Sequence, residues 1–191
     1  MIFNPAITEL TTAATDLLLA VVSLGCLAVL RRSRRRHGQR VAIWSWVFGL
    51  LAFASLLGAL AHGLALSPAV ESWLWRPLYL SLGLVVAMFV VGAVFDLRGA
   101  HAARAWSVPM LVLALGFFTV TQIGSDNFMI FVVYEAVAML GTLGIYLLLA
   151  WQRRLAGAWT VAAGILLNIV AAAIQANGTI SLTIIFPLDH N

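Results

Sequence analysis

Apolar segments long enough to cross a lipid bilayer constrain the fold of this chain more than any other feature. Six such segments lie at residues 8–30, 41–66, 75–97, 105–123, 127–151 and 156–176. About 20 predominantly apolar residues span the hydrocarbon core as a helix, and lipid offers no partner for unpaired backbone groups. The sequence lacks the short alternating segments of a membrane β-barrel. It therefore predicts one all-α domain over residues 1–191, a polytopic bundle of about six transmembrane helices followed by a tail at 177–191.

Composition and charge support this environment. Hydrophobic residues make up 63% of the 191 residues and charged residues only 9%, whereas soluble domains carry about 25% charged residues. All eleven positively charged residues are arginines. In a topology of six transmembrane helices, ten of these arginines lie on the same side of the membrane. Arginine-rich loops remain in the cytoplasm, so we expect both chain termini outside. The lysine-free composition suggests a bacterial inner membrane.

The same features exclude two classes of protein. The net charge of +4 comes from arginines in short loops between apolar segments, which is a pattern of topology and not of a nucleic-acid partner. Without lysine, the chain cannot form the Schiff base of a retinal protein. The expected partners are membrane lipids and, in one interpretation, other subunits of a membrane complex.

Three polar residues of the first helix suggest a functional face. Glu9, Thr12 and Asp16 lie at offsets of three and seven, which places them along one side of a helix. Ionisable groups within a bilayer are costly and usually functional. Glu9 has a second interpretation as an interfacial carboxylate favoured by the helix dipole. For Asp16 we expect a functional role or a place in a polar core.

The second helix contributes His62 near its predicted outer end. Gly58 precedes it by one turn on the same face, and Ser55 lies close to that face. Small residues let helices approach closely, so His62 should point into the bundle and away from lipid. Two interpretations stay open: a hydrogen-bonded structural histidine and a metal ligand.

The predicted topology brings further candidates to the outer side. Glu135 lies in the outer part of helix five, Gln175 ends helix six, and Asp189 and His190 follow in the tail. For Gln175 we favour interhelical hydrogen bonding over a role in a site. If the helices close into a bundle, these residues and those of helices one and two line an outward-facing polar cavity. Two histidines with carboxylates suit zinc, which can activate water for hydrolysis.

Three short stretches resemble a known superfamily. They are ITELTT at residues 7–12 with Asp16 following, LGALAHG at 57–63, and FPLDHN at 186–191. In this order they are similar to three parts of that superfamily's sequences. These are the start of its helix one, its helix-two segment with the first zinc histidine, and the start of its helix seven. The superfamily comprises the alkaline ceramidases and the progestin and adiponectin receptors, which are seven-helix membrane proteins with an intramembrane zinc.

The resemblance implies a zinc-dependent hydrolase of lipid amides or esters. It implies zinc held by His62 with His190 and a carboxylate, either Asp16 or Asp189, and Asp16 as a base or orienting group. The serine that the superfamily carries four residues before the histidine is replaced here by Gly58, and Ser55 lies one turn further back. It also implies a ceramidase-like bacterial member that lacks the seventh helix or is truncated before it.

A second function from another class stays open. The bundle would be a non-catalytic accessory subunit of a larger membrane complex, packing against partners through its helices or holding lipid or pigment. Copurification with a complex would favour it. A haem protein using His62 and His190 has no further support, and a transporter would call for inverted repeats or broken helices that the sequence does not show.

Overall fold

The computed structural model describes residues 3–32, 38–123 and 127–177, and six α-helices account for nearly all of them. The helices are α1 (Ile7–Arg32), α2 (Gly38–Gly63), α3 (Pro68–Arg98), α4 (Ala100–Ile123), α5 (Asn127–Trp151) and α6 (Ala158–Asn177). The described residues form no strand beyond one isolated bridge between Phe3 and Leu64. The predicted all-α helical bundle is confirmed.

Five of these helices, α1 to α5, are long and apolar enough to cross a membrane. The apolar part described for α6, Ala158–Ile174, is shorter, so the sixth span stays a prediction. Leucine, valine and tryptophan side chains cover the outer surface of the bundle in large numbers. In water this surface would be unfavourable, whereas in a bilayer it faces a solvent as apolar as itself. The chain is a polytopic membrane protein.

Helix α3 begins at Pro68, earlier than the predicted start at residue 75. Proline suits the first position of a helix, because its fixed φ is already helical and its missing N–H is not needed there. Ser67 precedes it in an extended conformation, with φ −71° and ψ 150°. Pro77 lies inside the helix and removes one backbone donor. The Ser81 hydroxyl donates a hydrogen bond to the Pro77 carbonyl at 2.7 Å.

Helix α3 is the centre of the bundle and packs against α2, α4 and α5. Helix α1 packs mainly against α2, and α6 mainly against α5. Glycines allow two of the closest approaches of α3. A Cβ at Gly83 would lie 2.8 Å from Phe117 Cδ1, and a Cβ at Gly92 would lie 3.1 Å from the Trp44 ring. A side chain at Gly83 would force the Phe117 ring to move, and one at Gly92 would press on the Trp44 ring.

The two ends of the bundle differ in chemistry. The start of α1, the end of α2 and the start of α3 meet at one end, which we call the histidine end because it carries His62. The backbone N–H of Asn4 donates to the Gly63 carbonyl at 3.1 Å and fastens the chain before α1 to this end. The opposite end, which we call the arginine end, holds the junctions of α1 with α2 and of α3 with α4, including Arg31, Arg40 and Arg98.

Candidate functional site

A carboxylate–histidine pair joins α1 and α2 at the histidine end. His62 Nδ1 lies 2.6 Å from Glu9 Oε2. The His62 side chain is 25% exposed and that of Glu9 is 42% exposed, so the pair is open to molecules that approach this end. An ionised carboxylate can only accept hydrogen bonds. With Glu9 ionised, Nδ1 therefore carries a proton, and in the neutral form of the imidazole Nε2 offers its lone pair.

Aromatic rings of α3 form one wall of the site. The His62 and Trp75 rings meet edge to face, with centroids 5.4 Å apart and an interplanar angle of 83°. Tyr79 stacks on Trp75 at 5.5 Å. The indole N–H of Trp75 donates to Glu71 at 3.4 Å. These contacts fix the imidazole orientation, because its ring lies between a carboxylate on one helix and an indole on another.

Asp16 of α1 packs against Gly58 of α2, one helical turn before His62. Its Oδ2 atom is 2.5 Å from the position that a Cβ of residue 58 would occupy. Gly58 therefore leaves the space that the carboxylate fills. Asp16 is also close enough to His62 for an electrostatic interaction between them. Position 58 therefore has to be small, because the Asp16 carboxylate of the neighbouring helix occupies the space beside it.

An open cavity of about 420 Å³ lies beside the pair. Its charged or ionisable lining consists of Glu9, Glu71 and His62. The remaining lining comes from Asn4, Trp75 and apolar side chains at and just after the end of α2. The cavity gives a molecule at this end of the bundle access to the His62 ring.

The described residues contain no group of three or more histidine, cysteine or acidic side chains placed to hold a metal ion. They bring together Glu9 and His62, with Asp16 nearby. Asp189 and His190, the two other metal ligands predicted from the sequence, lie outside the described residues. Of the zinc ligands predicted from the sequence, the described residues therefore contain His62 and Asp16.

The other predicted site residues have separate places. Thr12 is exposed, and its hydroxyl donates to the Thr8 carbonyl of its own helix at 3.1 Å. Ser55 is buried, at 5% exposure, two turns before His62. Glu135 of α5 accepts a hydrogen bond from Asn168 of α6, which ties that pair of helices together. The side chain of Gln175 lies outside the described residues.

A polar cluster at the arginine end had not been predicted. Arg40 Nε lies 2.8 Å from Asp96 Oδ1, and the Asp96 side chain is only 3% exposed. The hydroxyl of Tyr146, a fully buried residue of α5, donates to Asp96 Oδ2 at 3.0 Å. The cluster joins α2, α3 and α5. Arg40 had been interpreted as one of several topology-setting arginines, and nothing in the apolar sequence around Tyr146 signals its role.

The fold and the site define a class: a polytopic helical membrane protein with a carboxylate–histidine pair in an open cavity at one end. The chain belongs to a family of unknown function, DUF6962, whose pattern matches residues 11–191. No curated protein and no solved structure matches the chain.

Proposed function

We propose that this protein is an intramembrane zinc-dependent hydrolase that cleaves an amide or ester bond of a lipid. The observation that carries the proposal is the 2.6 Å contact between Glu9 and His62. In metal sites, a ligating histidine usually donates its second ring N–H to a carboxylate, which fixes the tautomer and makes the ligand more basic. The Glu9–His62 pair has this form.

The residues present fit one part of a zinc site. His62 would supply one ligand through Nε2, with Glu9 behind it. Catalytic zinc sites generally use three protein ligands and leave one position for water or substrate. We propose Asp189 and His190 as the further ligands, on the strength of the sequence resemblance. When bound, zinc would supply an activated water and polarise the scissile carbonyl.

The remaining chemistry falls to the chain's own side chains. Asp16 lies near His62, and we propose that it accepts a proton from the attacking water as a general base. Ser55, buried on α2, is the hydroxyl candidate for holding the substrate. Leu64, Ala65 and Leu66 line the cavity beside the polar pair, which supports a substrate that is polar at the reacting bond and apolar elsewhere.

The first experiment is zinc analysis of the full chain purified in mild detergent. We expect about one zinc per chain in the parent protein and its loss in His62→Ala. His101→Ala is the matched control, because His101 is an exposed histidine at the arginine end and its removal should leave the zinc content unchanged. Glu9→Gln should weaken zinc binding about 10- to 100-fold. A parent protein without zinc, after purification in zinc-containing buffer, would contradict the proposal.

Hydrolysis is measured on the same proteins with fluorescent lipid amides and esters. Asp16→Asn should keep the zinc and lose most of the activity, because it removes the base and not a ligand. Activity that survives both His62→Ala and Asp16→Asn would show that the reaction takes place elsewhere.

An accessory-subunit role is the second candidate. One observation favours it: α1 packs mainly against α2, and many of its large apolar side chains are exposed. Lipid would cover this face equally well. Absence of zinc together with copurification of other membrane proteins would make this the leading function. The cytoplasmic position of the arginine end stays a prediction in either case.

A further inference from the structure

A groove between α1 and α2 opens at the arginine end. It has a volume of about 470 Å³, and it lies at the opposite end of these two helices from the carboxylate–histidine pair. The principal lining residues are Leu27, Arg31, Trp46, Gly49, Leu50 and Phe53. The proposed hydrolase makes no use of this groove.

The glycines of α2 explain why the groove is open at one end only. At the histidine end, a Cβ on Gly63 would meet Ala13 at 3.2 Å, and a Cβ on Gly58 would meet Asp16 at 2.5 Å. Side chains of α1 therefore fill the space beside these two glycines. At the arginine end, the nearest atom to a Cβ on Gly49 is Leu27 Cδ2, at 4.0 Å. Side chains of α1 therefore pack only loosely beside Gly49, which forms part of the floor of the groove.

The length of the groove matches one lipid leaflet. Its lining on α2 extends from Val41 to Phe53, which is about 18 Å at 1.5 Å per residue. Half of the bilayer's hydrocarbon core is about 15 Å thick. Trp46, which is 63% exposed, lies along the same stretch and adds a large apolar surface to the groove wall. An acyl chain of ordinary length fits this dimension.

The charge at the mouth of the groove is positive. Arg31 lines it, and Arg32 follows at the end of α1. Among the described residues, no carboxylate lines the groove. Within the described ranges the ion pairs are Arg40 with Asp96 and His62 with Glu9, so Arg31 takes part in none. An unpaired guanidinium at the membrane interface attracts phosphate oxygens.

We propose that this groove binds an anionic phospholipid of the leaflet at the arginine end. The Arg31 guanidinium contacts the phosphate, with the Ser45 hydroxyl, which also lines the groove, as a further donor. One acyl chain lies over Gly49 and between Leu27 and Phe53. The bound lipid fills the gap that the described side chains leave open between α1 and α2.

The test is native mass spectrometry of the full chain in mild detergent. The protein is incubated with equal amounts of phosphatidylglycerol and phosphatidylcholine that carry identical acyl chains, and the ratio of bound lipids is measured. We expect phosphatidylglycerol to be preferred, and Arg31→Gln to lower the ratio about five-fold, the effect of one arginine near a membrane surface. Gly49→Leu fills the floor of the groove and should reduce the binding of both lipids.

Arg98→Gln is the matched control, because Arg98 is an exposed arginine at the same end and is not among the groove residues. It should leave the ratio unchanged. An equal loss in Arg98→Gln and Arg31→Gln, or no preference in the parent protein, would overturn the proposal in favour of nonspecific attraction. A dimer that excludes lipid and disappears in Gly49→Leu would overturn it in favour of a second copy in the groove. Arg31→Gln lies at an exposed helix end, so the test stands even if Gly49→Leu does not fold.

Discussion

Replacing Arg40 with glutamine should destabilise the bundle strongly, because it removes the charge that neutralises Asp96. The Asp96 carboxylate is 3% exposed and lies 2.8 Å from the Arg40 guanidinium. Without Arg40, its remaining partner in the cluster is the neutral hydroxyl of Tyr146, at 3.0 Å. A carboxylate in this position has lost its water and its counter-ion together.

The size of the effect follows from burial. Removal of one partner from a fully buried ion pair costs about 3–5 kcal/mol. The Arg40 side chain is 37% exposed, so water reaches part of the vacated space, and we expect a loss of about 2–3 kcal/mol in the free energy of unfolding. Tyr146→Phe removes a hydrogen bond to a charged acceptor and should cost about 1.5 kcal/mol. The double variant Arg40→Gln/Asp96→Asn should be more stable than Arg40→Gln alone, because it leaves no uncompensated charge.

The assay is unfolding of the purified protein in mixed micelles by titration with sodium dodecyl sulfate, followed by far-ultraviolet circular dichroism. Arg104→Gln is the control, because Arg104 is exposed and its Nε donates only to the Ala100 carbonyl of its own helix. It should change stability by less than about 0.5 kcal/mol. The reasoning is refuted if Arg40→Gln is as stable as Arg104→Gln, or if Asp96→Asn fails to rescue any stability lost in Arg40→Gln.

Two further predictions concern contacts between helices and use the same unfolding assay. Gly58→Ala should cost about 1–2 kcal/mol in the free energy of unfolding, because its Cβ would lie 2.5 Å from Asp16 Oδ2 and force the carboxylate aside. Adding Asp16→Ala should recover most of this loss. If it recovers none, the strain lies elsewhere. Tyr134→Phe should lower the free energy of unfolding by about 1 kcal/mol, because it removes the hydrogen bond that the Tyr134 hydroxyl donates to the Gly83 carbonyl at 3.0 Å. An unchanged unfolding midpoint would show that this hydrogen bond adds no stability.

The sequence by itself determined the helices. Lipid leaves backbone groups no partner outside the helix, so each long apolar segment could be assigned without knowledge of its neighbours, and each predicted segment overlaps one observed helix. The start of α3 was the exception. Residues 68–76 contain Pro68, Glu71 and Arg76 and do not look like a membrane span, yet Pro68 is well suited to begin a helix.

The sequence also placed Glu9, Asp16 and His62 near the same end of the bundle, because consecutive antiparallel helices return to the same side. It could not show which atoms meet. The contact of Glu9 with His62 joins residues 53 positions apart, and it depends on how far α1 slides along α2. That register is set where Asp16 packs against Gly58 and Ala13 against Gly63.

Only the tertiary structure decided the pairing at the arginine end and the shape of the groove. Arginine counting explains Arg40 by topology alone, and Asp96 appears in the sequence as one acidic residue near a helix end. Their ion pair, and the bond from Tyr146, arise because α3 lies between α2 and α5. Local sequence encodes the helix, since its hydrogen bonds are local. Contacts between helices depend on the summed packing of several surfaces, and no single segment contains that information.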